Sequence, residues 1–178
     1  MNLPNYITLV RIVLIPFFVD LMIYRYYQWA LVVFVVACLT DALDGLIARL
    51  TNSQTELGAL LDPIADKLLI LSAFITLVLL GMLPVWLVII AVSRDVIILL
   101  GIMTLMFHDI AFDIKPSGVS KATTLLQLAT ILAAMSSTLV KLPTPVYWAL
   151  YLFTASFSIA SGIHYLLKGV SLLDGRKT

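Results

Sequence analysis

Asp41-Ala42-Leu43-Asp44-Gly45-Leu46-Ile47-Ala48-Arg49, then eight residues, then Gly58-Ala59-Leu60-Leu61-Asp62-Pro63-Ile64-Ala65-Asp66 is the stretch whose reading decides the fold. It sets four carboxylates and an arginine inside a chain otherwise built to avoid charge. Ionisable groups in lipid are costly, which marks them as functional by default. Asp41 and Asp44 are three apart, and Asp62 and Asp66 four apart, so each pair shares one helix face. Two such faces turned toward each other form an all-oxygen cage suited to hard divalent cations such as Mg²⁺ or Mn²⁺.

The surrounding composition requires a bilayer. The chain has 178 residues, 62% of them hydrophobic and only 12% charged, with a mean hydropathy of +1.09. A soluble domain carries roughly 25% charged residues. The expected architecture is therefore a single all-α integral membrane domain over residues 1–178. The net charge of +1 says nothing about a nucleic-acid partner, and no basic run supports one. Cys38 is the lone cysteine, lies in an apolar run and reads as a small core residue. The first residues lack the basic region and cleavage site of a signal peptide, so the N-terminus is expected to be retained.

Six apolar stretches emerge at about 8–24, 28–50, 57–80, 84–106, 121–141 and 145–168, each near the ~20 residues that span hydrocarbon. Gly81, Pro84, Pro116-Ser117-Gly118, Pro143 and Pro145 punctuate them. Arg49, Lys115, Lys121, Lys168, Arg176 and Lys177 fall on the side of the termini, against Arg25 and Lys141 on the other. The positive-inside rule then makes both termini cytoplasmic. At 1.5 Å per residue, Asp44 and Asp62 lie ~9 and ~8 Å from the cytoplasmic helix ends, and Asp41 and Asp66 ~14 Å. The two pairs share a depth. Arg94 lies ~18 Å in, and Lys121 sits at the mouth of the polar cavity this implies.

Gly45, Ala48 and Gly58 keep small profiles beside the carboxylates. They suit either a flat ligand resting on helix 2 or close helix–helix packing, and spacing leaves both open. Arg49 pairs with a phosphate or snorkels. A metal cluster in such a cavity suits a diphosphate substrate, with a carboxylate accepting a proton from an attacking hydroxyl. Plainer readings apply elsewhere. Arg94-Asp95 reads also as a buried neutralising pair, and Lys67 beside Asp66 likewise. Asp20 reads as interfacial, Asp109, Asp113 and His108 as loop residues, and His164 as packed or interfacial. Trp29, Trp86 and Trp148 near the far helix ends match an aromatic belt. An intramembrane cation transporter is the competing class. Its expected related halves with interrupted helices are not seen, since the carboxylates cluster in one helix pair.

The pattern D-x2-D-G-x2-A-R-x8-G-x3-D-x3-D, complete here, resembles the signature of the CDP-alcohol phosphatidyltransferases. The resemblance extends along the whole chain. Pro4-Asn5-Tyr6-Ile7-Thr8-Leu9-Val10-Arg11 looks like that family's short interfacial helix ahead of six transmembrane helices. The resemblance implies two divalent cations, Mg²⁺ or Mn²⁺, held by Asp41, Asp44 and Asp62 with Asp66 nearby, and Asp66 as general base. It implies that Gly45, Ala48, Arg49 and Gly58 hold the cytidine nucleotide of CDP-diacylglycerol, with Asn5 and Thr8 closing over it. It further implies a homodimer, an active site on the cytoplasmic side and release of CMP. Arg94, Lys115 and Lys121 are the cations available to an anionic acceptor. Arg94-Asp95, Ser120-Lys121 and Lys115-Pro116-Ser117 look more like the cardiolipin synthase branch, which takes phosphatidylglycerol. The phosphatidylglycerophosphate synthase branch, which takes glycerol 3-phosphate, is the second expectation.

Overall fold

The computed structural model describes the backbone over residues 3–51, 56–107, 118–140 and 142–173, and side chains over 10–40, 67–101, 103–104, 118–140 and 142–171. Six helices follow in order: α1 (Leu3–Ile23), α2 (Tyr27–Thr51), α3 (Glu56–Leu79), α4 (Val85–Phe107), α5 (Gly118–Ser136) and α6 (Thr144–Leu173). Among the described residues there is no strand. The separate interfacial helix expected at the N-terminus is instead continuous with α1 from Leu3. Pro4 is compatible with this because the N–H it lacks would have no partner in a first helical turn.

The helix ends have local causes. After α1, Tyr26 N–H donates to the Leu21 carbonyl at 2.8 Å and Arg25 N–H to Met22 at 3.1 Å. This doubly bonded C-cap needs a left-handed residue, and Arg25 supplies it at φ 64°. The same cap closes α3, where Met82 N–H meets the Leu77 carbonyl at 2.8 Å and Gly81 N–H meets Val78 at 2.9 Å. There the left-handed position, φ 70°, is held by Gly81, the residue that adopts it without penalty. The Pro84 and Pro143 carbonyls accept the first bonds of α4 and α6, from Leu87 and Val146.

The chain forms two compact units, Met1–Met82 with Ala134–Lys141, and Leu83–Ala133 with Leu142–Thr178. In the first, α1 packs on both α2 and α3. The Phe18 and Phe34 rings, both fully buried, meet at 5.5 Å between α1 and α2. Ala30 and Ala37 are buried on α2, where small side chains let backbones approach, the main route to tight packing in lipid. In the second unit, α4 runs along α6. Leu87, Ala91 and Arg94 form its buried stripe at helical spacing.

The second unit has polar groups inside and apolar groups outside. Arg94, Thr123, Gln127, Thr130, Thr154, Ser158 and Ser161 are buried, while Leu99, Leu125, Leu152, Phe153 and Leu167 are exposed. That distribution suits hydrocarbon surroundings, where helices gain nothing by hiding leucine and much by pairing hydroxyls. Among the described residues, two helices are long and apolar enough to cross a membrane, Gly118–Ser136 and Thr144–Ser171. Trp29, Trp86 and Trp148 each lie near the start of a helix, α2, α4 and α6, with rings exposed. This is how an aromatic belt residue sits.

Candidate active site

The eight patterned residues of 41–66 lie on two continuous helices. Asp44 stands seven residues before Thr51, the last of α2, and Asp62 six residues after Glu56, the first of α3. Asp41 and Asp66 each stand ten residues from those same ends. At 1.5 Å per residue the pairs lie about 10 and 15 Å from the ends. The two pairs thus stand at like residue counts from the facing ends of α2 and α3. The side chains of Asp41, Asp44, Gly45, Ala48, Arg49, Gly58, Asp62 and Asp66 lie outside the described residues, as do those of Asn5 and Thr8 on α1 and the whole of Lys115. Among the described residues no three acidic, histidine or cysteine side chains gather as a metal site. A set of four carboxylates, two on α2 and two on α3, nevertheless fits hard divalent cations by its donor chemistry.

Arg94 is resolved in detail. It is 3% exposed on α4. Its Nη1 donates to Asp95 Oδ1 at 2.6 Å, its Nε to Ser161 Oγ on α6 at 3.1 Å, and one Nη2 to both Ser161 Oγ at 2.8 Å and Ser120 Oγ on α5 at 2.5 Å. The neutralising pair with Asp95 read from the sequence is therefore present, within a larger node joining three helices. Lys121 follows Ser120 and is exposed, with no ion pair among the described residues.

Sequence reading missed what lies beyond that node. Thr123 Oγ1 reaches the Phe157 carbonyl at 3.1 Å, and the Thr130 and Thr154 hydroxyls stand 2.7 Å apart. These ties join α5 to α6. The signal was available: Thr123, Gln127 and Thr130, and Thr154, Ser158 and Ser161, both recur at i, i+4, i+7 in apolar helices. Arg11, 1% exposed on α1, was also passed over, although it is a lone cation in an apolar run. His164 is exposed on α6 with its ring edge-on to Tyr165, so it fits the interfacial reading.

Residues 1–160 match the family model for CDP-alcohol phosphatidyltransferase. The chain belongs to the CDP-alcohol phosphatidyltransferase family. Membership and the two long apolar helices make it a membrane protein. It is 31% identical over 195 residues to the cardiolipin synthase (CMP-forming) of Rattus norvegicus, covering 98% of this chain and 65% of the relative. It is 34% identical over 187 residues to a probable phosphatidylglycerophosphate synthase of Mycobacterium tuberculosis, covering 98% of this chain and 84% of the relative. A shorter match, 40% over 110 residues and 53% of this chain, is to the CDP-diacylglycerol–glycerol-3-phosphate 3-phosphatidyltransferase of Bacillus subtilis, 56% of whose length it covers. The chain thus spans about two thirds of the rat relative's length.

Proposed function

We propose that this member of the family works in phospholipid biosynthesis, moving the phosphatidyl group of CDP-diacylglycerol to the hydroxyl of a glycerol-type acceptor. Phosphatidylglycerol is the favoured acceptor, which makes the product cardiolipin, and CMP leaves. The observation that carries this reading is the complete eight-residue pattern set on α2 and α3, with its carboxylate pairs at like residue counts from the facing helix ends. The similarity to a relative named as a CMP-forming cardiolipin synthase supports it.

The roles follow from residue chemistry. Asp41, Asp44, Asp62 and Asp66 hold two divalent cations, Mg²⁺ or Mn²⁺. When bound, these cations stabilise charge on the diphosphate and on the departing phosphate. Asp66 takes the proton of the acceptor hydroxyl as that oxygen bonds to the phosphorus bearing diacylglycerol and the bond to CMP breaks. Gly45, Ala48 and Gly58 leave room for the cytidine nucleotide, Arg49 pairs with its phosphate, and Asn5 and Thr8 close over it. Arg94, Lys115 and Lys121 serve the anionic acceptor. All six helices cross the membrane, with both termini and the site on the cytoplasmic side. Residues 1–178 act as one domain that pairs as a homodimer.

Glycerol 3-phosphate is the second acceptor reading, favoured by the relatives from M. tuberculosis, named a probable phosphatidylglycerophosphate synthase, and B. subtilis, named a glycerol-3-phosphate 3-phosphatidyltransferase. A cation transporter is disfavoured, because the carboxylate pairs belong to one pair of helices and the relatives are named as transferases. The test is to incubate purified protein with Mg²⁺ or Mn²⁺ and CDP-diacylglycerol, offering phosphatidylglycerol and glycerol 3-phosphate separately. Cardiolipin and CMP are expected in the first reaction. Product in the second reaction alone supports the second reading, and no CMP in either rejects both.

A further inference from the structure

An arginine that binds a substrate phosphate must present free N–H groups to it, usually as a fork. Arg94 does not. Its four N–H···O contacts to Asp95, Ser120 and Ser161 occupy all but one of the five N–H groups of a guanidinium, and the side chain is 3% exposed. Ser161, which takes two of those contacts, is itself fully buried. Gly162 lies beside the arginine stem: a Cβ added there would meet Arg94 Cγ at 3.7 Å, an ordinary packing contact. The node is a joint of α4, α5 and α6 in which Arg94 and Ser161 are buried and Asp95 is 22% exposed.

Its hold on α5 is at Ser120, two residues after the helix begins at Gly118. A first helical turn is where a helix frays unless something secures it. The next residue is Lys121, exposed and in no ion pair among the described residues. A lysine on a mobile turn gives up much of its binding strength to ordering, whereas one on a secured turn gives up less. We propose that Arg94 is a positioning residue: through Ser120 it secures the first turn of α5 and so holds Lys121 as the cation that meets the acceptor's phosphate. This rests on the transferase reading above and reassigns the work within its acceptor cations.

The experiment measures acceptor KM, CDP-diacylglycerol KM and kcat for Lys121→Ala, Arg94→Ala, Ser120→Ala and the double variant Arg94→Ala/Lys121→Ala. Lys121→Ala and Arg94→Ala are each expected to raise acceptor KM about tenfold, the size of one charge-assisted contact. CDP-diacylglycerol KM stays level. The double variant is expected to be no worse than the weaker-binding single, because both remove one contact. Ser120→Ala keeps both charges and still raises acceptor KM several-fold, about threefold or more for one lost tie. It also carries the test if Arg94→Ala fails to fold, since it leaves the arginine's other partners in place. Multiplying effects in the double variant, an unchanged acceptor KM in Ser120→Ala, or an unchanged acceptor KM in Lys121→Ala overturns the proposal while the wild type still releases CMP. A wild type that releases none with either acceptor rejects the transferase reading itself, and this inference with it.

Discussion

Replacing Ser161 with alanine tests the buried node most sharply. The change removes one acceptor oxygen and leaves two N–H groups of a buried cation, Nε at 3.1 Å and one Nη2 at 2.8 Å, facing a methyl. Hydrogen bonds to charged groups are worth about 1.5–3 kcal/mol in soluble proteins. Polar contacts between membrane helices average about 0.6 kcal/mol and reach about 1.7, because helices separated in lipid find other partners. Two contacts to a fully buried charge belong near the top of the membrane range, so Ser161→Ala should cost about 2 kcal/mol. At about 2–4 °C per kcal/mol for a chain of this size, Tm falls by about 4–8 °C. Tryptophan fluorescence of the detergent-purified protein during heating reads this directly. Ser158→Ala, one turn earlier on α6, is the control: its buried hydroxyl has no hydrogen-bond partner among the described residues, so its loss should shift stability by less than about 0.5 kcal/mol. A Ser161→Ala protein melting within about 1 °C of wild type, or equal losses in both variants, would refute the reasoning.

Asp66→Asn keeps size and shape while removing the base, so the helical circular dichroism spectrum should be retained while CMP release falls by about 10²–10⁴-fold. An active Asp66→Asn enzyme removes Asp66 from that role. The two left-handed caps should respond in opposite senses. Gly81→Ala, at φ 70°, should lose about 1 kcal/mol in thermal unfolding, and Arg25→Gly, at φ 64°, should gain up to about 1 kcal/mol. Equal signs for the two would mean that backbone strain does not govern these turns.

Much of the fold was legible because helix ends in this chain are written in local chemistry. Gly81, Pro84, Pro143 and Pro145 bracket their helices in the structure as in the sequence. The Arg25 turn had no such mark, since nothing in Tyr24-Arg25-Tyr26 announces a left-handed residue; the apolar stretches on either side located it. α1 begins earlier than hydropathy suggested, because Leu3–Ile7 continues the helix although Pro4 and Asn5 dilute its apolar character. The carboxylate pattern was readable because its spacing is helical and its cost in lipid is high. Arg94 was readable as a residue but not as a node. Its partner Ser161 lies 67 residues away, and a serine in an apolar helix carries no hint of what faces it. Long-range pairing of small hydroxyl residues emerges only when helices are packed.

The most direct measurement of the central claim is the number of Mn²⁺ ions held by the purified protein in the presence of CDP-diacylglycerol, read by electron paramagnetic resonance alongside CMP release. The proposed site of four carboxylates from α2 and α3 predicts about two ions per chain, loss of turnover on chelation, and its return when Mn²⁺ or Mg²⁺ is restored. Asp62→Asn should lower both occupancy and turnover without unfolding the protein. Full CMP release from a preparation stripped of metal, or undiminished Mn²⁺ binding after Asp41, Asp44, Asp62 and Asp66 are all replaced by asparagine, would contradict the account.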